Sequence, residues 1–355
     1  MSRSGAPRQR SASIGHALSD TPNSLNLIRL LLALAVIQFH SSVLGGYLPV
    51  AIFHWTDAGS LAVYGFFGIS GYLITGSALK HSVPRYLWHR ALRIFPAFWI
   101  CLMVTAVVFG WIGWTHSGHH CGVGCYVAEP NGPLGYVFRN SWLRLNQYSI
   151  NGTLLGAPIP NAWNGSLWTL FYEFLCYLLI GVLALVGVLR SKVWLVAVAA
   201  AAWVTEVVFT SVRHLNLETN TFHSIDAQHV LSLVPVFLAG SVLYHFRDQI
   251  PDSGWIAIAC VGLMLAGFLV PVGAAKVGFA LSRADLVAPL LVYPVLWLGA
   301  HLPGTRIGAR NDYSYGVYIY AYPVAQLLAL WGAYRWGYTA YTAVTVAVTG
   351  VFAAA

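Results

Sequence analysis

The sequence predicts an all-α polytopic membrane protein, with about ten transmembrane helices and both termini in the cytoplasm. Three observations carry this. The 355 residues hold 19 Lys and Arg and 11 Asp and Glu, only 8% charge, where a soluble domain carries about 25%. Residues of the AVILMFWYC set make up 58%, which leaves too little polarity to clothe a water-facing surface. The apolar residues also fall in runs of about 20, the length that crosses a hydrocarbon core. A soluble globular enzyme, a disordered chain and a nucleic-acid module are thereby excluded. The net charge of +8 orients the chain in a bilayer; no nucleic-acid partner is expected.

The runs fall at 25–44, 59–79, 95–114, 166–189, 193–212, 228–246, 254–273, 285–303, 313–332 and 337–355. Segment 133–150 is shorter, carries Arg139, Arg144 and Asn146, and reads as loop. Residues 1–24 form a polar cytoplasmic tail, and 25–355 form a single transmembrane domain with one long extracytoplasmic loop at 115–165. With the N-terminus inside, twelve Lys and Arg fall on the cytoplasmic side and six outside, with Arg29 left within a span. That asymmetry agrees with the positive-inside rule. The first span follows the tail without a small-residue cleavage site, so it reads as an uncleaved signal. In the outer loop, Cys121 and Cys125 could pair as a disulfide. With His116, His119 and His120 just before them, they could also hold a metal, although no metal is expected. Both readings stay open at this level.

Ionisable groups within spans mark function, because burying them costs several kcal/mol unless they are paired or solvated. Arg29 and His40 are eleven residues apart in the first span. Eleven steps of about 100° end within about 20° of three turns, so both lie on one helix face, about 16 Å apart. HSVPRYLWHRALRIFPAFW (81–99) is basic and aromatic, and its Arg90 and Arg93 are helix neighbours suited to a polyphosphate. Anionic lipid headgroups are the competing ligand. In NGSLWTLFYEFLCYLL (164–179), Glu173 sits inside the fourth span and shares a face with Ser166. It needs an Arg or His partner from another helix. Glu206 is a weaker case of the same kind. FFGISGYLITG (66–76) has the small residues of close helix packing or of a break. NDYSYGVYIYAYPVAQLL (311–328) reads as an aromatic-belt anchor.

In this order, R-x10-H, FFGISGYLI, RALRIFPAFW, NGSLWTLFYEF and SYGVYIYAYPV resemble the acyltransferase 3 family of integral membrane O-acyltransferases, from Asn26 to about Leu328. The resemblance implies a cytoplasmic acyl-CoA donor, usually acetyl-CoA, and an acceptor on the outer side of a bacterial inner membrane. It implies that His40 is the catalytic histidine, and that Arg29, Arg90 and Arg93 bind or position the donor. Glu173 matches the acid of the family's S-L-W-x-L-x-x-E motif, and is expected to hold His40 in one tautomer or to stabilise its cation. Ser166 and Trp168 are the expected substrate contacts. The NGSLWTL stretch is most similar to the branch acting on lipopolysaccharide, exopolysaccharide or peptidoglycan; a small secondary metabolite such as a macrolide is the other acceptor class. One departure is Ala321, where family members often carry a His two residues before the proline. A transporter or flippase of a lipid-linked saccharide is the rival class. It predicts paired, interrupted helices in two halves, and no matching second half is visible in the sequence.

Overall fold

The computed structural model of the chain describes residues 13–19, 22–47, 51–53, 56–118, 122–128, 130–160, 162–215, 225–269, 287–308 and 312–354. The described chain is helical apart from one short antiparallel hairpin, Ala51–Phe53 with Thr56–Asp57. The main helices are α1 (Ile14–Ser19), α2 (Leu25–Leu44), α3 (Ala58–Lys80), α4 (Val83–His116), α5 (Val123–Ala128), α6 (Pro133–Asn140) and α7 (Trp168–Leu185). They continue with α8 (Lys192–Leu215), α9 (Ile225–Phe246), α10 (Gly254–Leu269), α11 (Val292–His301), α12 (Tyr313–Leu330) and α13 (Tyr338–Ala354).

Among the described residues, six helices are long and apolar enough to cross a membrane: Leu25–Leu44, Ala58–Lys80, Val83–His116, Trp168–Leu185, Lys192–Phe209 and Ala227–Phe246. Shorter apolar helices cover Gly254–Gly267, Ala288–His301 and Tyr338–Ala354. The expected runs 254–273 and 285–303 lie partly outside the described residues.

One expected boundary is corrected. The sequence places the third span at 95–114, with the basic stretch before it at the interface. The structure instead runs one 34-residue helix through Arg90, Arg93 and Pro96. Pro84 sits in its first turn, where the missing N–H is no loss. The same helix widens into a π-turn over Thr105–Phe109. The stretch 133–150, expected to lie in a loop, contains the eight-residue helix α6 and no helix long enough to span.

Helix starts follow local chemistry. Asp57 caps α3 by accepting from the Ser60 amide at 2.8 Å, and Asp312 caps α12 by accepting from the Ser314 amide at 3.2 Å. Each such cap stabilises its helix by about 1 kcal/mol. The small residues of 66–76 turn out to serve packing rather than a break. A Cβ on Gly71 would run into the Phe237 carbonyl, and one on Gly240 into the Gly68 carbonyl. The backbones of α3 and α9 therefore touch, the close approach that small residues permit between membrane helices. Part of the polar tail is also docked: the Ile14 amide donates to Ile250 O at 3.1 Å, and the Gly15 amide to Arg247 O at 2.9 Å.

Candidate active site

Helices α2, α4 and α12 bring three charges together. Arg29 and Arg93 both donate to Oδ2 of Asp312, Arg93 at 2.6 Å. Asp312 also accepts from the Ser314 hydroxyl and amide. Burial pushes this carboxyl up, but Arg29, the Ser314 hydroxyl, Arg93 and the Ser314 amide outweigh it. The net effect holds Asp312 below its usual carboxylate range. Arg90, the expected second member of the basic pair, does not join. It makes no hydrogen bond with the described residues, and its Nε is buried without a partner.

Glu173 stands one layer further in. Its Oε1 accepts from the Ser70 hydroxyl at 2.9 Å and from the Tyr177 hydroxyl at 2.5 Å. This corrects the expected contact with His40: Glu173 is bonded to α3 and to its own helix. Between α2, α3, α7 and α12 lies a narrow cavity of about 30 Å³. Arg29, Glu173, Phe66, Thr169, Tyr315 and Tyr318 are among the residues that line it.

The NGSLWT segment is a staple between α7 and α12. Asn164 donates to Ile319 O at 2.8 Å, the Ser166 hydroxyl donates to Asn164 Oδ1 at 2.9 Å, and the Tyr318 hydroxyl donates to Ser166 O at 2.9 Å. Ser166 is thus a buried bracing residue. The cavity wall is made by its neighbours Thr169 and Leu170. Trp168 lies elsewhere, stacked on the His229 ring of α9 at 4.0 Å between centroids. Neither of the two expected substrate contacts lines the cavity.

His40 lies near the far end of α2. It makes no hydrogen bond with the described residues. The Tyr322 ring meets it edge to face, with centroids 4.9 Å apart. The carboxylate that acts on it electrostatically is Asp57, at the start of α3. Gly59 lets that start approach: the Phe39 ring is 2.7 Å from where its Cβ would be. Of the two cysteines of the 115–165 stretch, Cys125 is disulfide-bonded, while Cys121 lies outside the described residues. Among the described residues, no three His, Cys, Asp or Glu side chains gather as metal ligands.

The sequence singles out Arg29, Arg93, Glu173 and His40 as candidates, and the structure adds Asp312, Ser70 and Tyr322 as their contacts. All three stand inside segments that the sequence marks. Asp312 carried a signal, since an Asp just before a helix start is both a cap and a charge.

Apolar spans with a charged interior, a cavity between them and an unbonded imidazole beyond it define a multi-pass membrane protein with a built polar core. The chain belongs to the acyltransferase 3 family: residues 23–354 match the family model described as an acyltransferase domain. It is an acyltransferase, and the family implies an acyl donor. An O-acetyl transferase of Shigella phage Sf6 is 29% identical over 308 residues, covering 86% of this chain and 85% of that protein. Nodulation protein 10 of Rhizobium leguminosarum bv. viciae is 24% identical over 286 residues, covering 72% of this chain and 69% of that one. No solved structure matches the chain.

Proposed function

We propose that the protein is an inner-membrane O-acetyltransferase that moves an acetyl group from cytoplasmic acetyl-CoA to a hydroxyl of a cell-surface glycan, using His40. The observation that carries the reading is His40 itself, an imidazole with no hydrogen bond among the described residues, set on the same helix face as Arg29. Its half-buried ring nitrogens are engaged by no described residue, which leaves them open to a reacting group. The kinship with the phage O-acetyl transferase supports the acetyl group and the oxygen acceptor.

In this scheme the donor's phosphates dock at the start of α4. Arg90 leads there, because Arg93 already leans on Asp312. The pantetheine arm passes Arg29 along this narrow cavity, whose walls must part to admit it. At His40 the acceptor hydroxyl attacks the thioester carbon while its proton passes to the imidazole. The carbonyl π pair moves onto oxygen. Collapse of that intermediate expels the CoA thiolate, which takes the proton back from His40. The products are the O-acetyl ester and free CoA. In the covalent variant His40 attacks first and carries the acetyl group as an acyl-imidazole.

Membranes containing the full chain, given radiolabelled acetyl-CoA, should transfer label to glycan. His40→Ala should abolish that transfer while the chain stays inserted, and wild-type transfer by His40→Ala would sink the proposal. Label held on the protein in a single turnover without acceptor distinguishes the covalent route from the general-base route.

A further inference from the structure

Three tyrosines of α12, at 315, 318 and 322, are spaced three and four residues apart and so share one helix face. Tyr315 and Tyr318 line the cavity beside Arg29 and Glu173. Both hydroxyls are committed: Tyr315 donates to Ile94 O at 2.8 Å and Tyr318 to Ser166 O at 2.9 Å. Tyr341, packed behind them, donates to Ala325 O at 2.7 Å. Tyr322 differs. Its residue is 8% exposed, yet its hydroxyl has no hydrogen-bond partner among the described residues.

Two contacts hold that phenol. Its ring lies edge to face against His40, 4.9 Å between centroids. Its far end lies against Gly165, with the hydroxyl 2.9 Å from the position a Cβ would take. Any larger residue at 165 would displace it, so this glycine of the NGSLW segment seats the phenol. The hydroxyl is not sealed off, and a ligand oxygen placed beside His40 could take its proton as a hydrogen bond.

We infer that Tyr322 is a catalytic residue whose hydroxyl donates a hydrogen bond to the thioester carbonyl oxygen as the acceptor attacks. This rests on the reading of His40 as the reacting imidazole. The phenol keeps its proton throughout. The acceptor's proton goes to His40, the carbonyl π pair goes to the oxygen that Tyr322 holds, and collapse releases the CoA thiolate, which takes the proton from His40. Removing one such donor in other acyl-transfer sites slows the chemical step by about 100- to 1000-fold.

Tyr322→Phe keeps the ring against His40 and deletes only the donor. In full-chain membranes with acetyl-CoA and acceptor glycan, kcat should fall about 100-fold or more. KM for the donor should stay within about twofold, and Tm should not move, because interactions made only in the transition state leave ground-state binding unchanged. A kcat within about threefold of wild type overturns the inference, since the rate then does not need the donor. A fall in kcat accompanied by an equal rise in donor KM and a lowered Tm also overturns it, by assigning Tyr322 to packing. His40→Ala is assayed alongside. Loss of transfer there with normal Tyr322→Phe removes only the tyrosine's role, whereas retained transfer in His40→Ala removes the reading beneath it.

Discussion

Arg29 and His40 share one face of one helix, and the structure treats them in opposite ways. Arg29 is bound at its charged tip by Asp312, which also takes Arg93 and the Ser314 hydroxyl. His40, eleven residues on, has ring contacts and no hydrogen bond among the described residues. The first arrangement is saturated and so resists change. The second leaves an imidazole and a phenol with open valences for hydrogen bonding, which suits groups that must engage something that comes and goes. Saturation at one end lets the helices carry unsatisfied groups at the other, because the ion cluster joins α2, α4 and α12.

The largest test of that contrast is at the open end. His40→Ala should remove essentially all transfer and lower Tm only by the ring packing lost against Phe39 and Tyr322; a drop in Tm as large as that of Asp312→Ala would show that His40 is as structural as Arg29. At the saturated end the opposite is expected. Asp312→Ala strands two guanidiniums, and removing one partner of a buried pair costs about 3 kcal/mol. Detergent-solubilised protein should show this as a clear loss in Tm. Arg93→Ala should cost far less, because the Arg93 side chain is 38% exposed.

Gly165→Ala probes the seating of the phenol. The new Cβ must push Tyr322 by a few tenths of an ångström, and transfer should fall about tenfold through misplacement alone. Unchanged transfer would mean that the position of Tyr322 does not matter. The ion cluster also has a pH signature. Asp312 is held below its ordinary range, so its stabilisation is complete above the unfolded carboxylate value of about 3.9 and is lost as pH falls below it. Tm should therefore drop on acidification through that region, and Asp312→Asn should flatten the drop. The smallest effect is expected from Tyr136→Phe. The Tyr136 hydroxyl is buried without a partner among the described residues, so deleting it should leave stability unchanged or raise it by up to about 1 kcal/mol.

These ends were not equally legible in the sequence. The shared face of Arg29 and His40 follows from helical periodicity, which depends on the residues between them alone. That Glu173 needs a partner was also legible, because a carboxylate in a span demands one. Which partner was not. Ser70 and Tyr177 offered hydroxyls where an Arg or His was expected, and sequence separation carries no record of which helices meet. Asp312 was hidden for the same reason: it lies 283 residues from Arg29, inside a segment whose tyrosines suggested an interface anchor. The start of α4 was misplaced because Pro96 and the charges around it imitate a boundary. An interior proline removes one hydrogen bond without ending a helix that its neighbours hold on several sides. The small residues of 66–76 left packing and breakage both open, and only the facing carbonyls of α9 decide between them.

The π-turn at Thr105–Phe109 gives α4 two orientations in one rod. One extra residue in a turn rotates everything beyond it by roughly 100° relative to an uninterrupted helix. Ahead of the turn, Cys101 faces the Ile319 carbonyl of α12. At its end, Phe109 meets Phe352 of α13 edge to face and lies beside Trp163 of the loop before α7. A single-residue deletion within 105–109 would therefore act as a phase error. The half of α4 that carries Arg93 would keep its neighbours, while the half that packs on Trp163 and Phe352 would present the wrong side to its own.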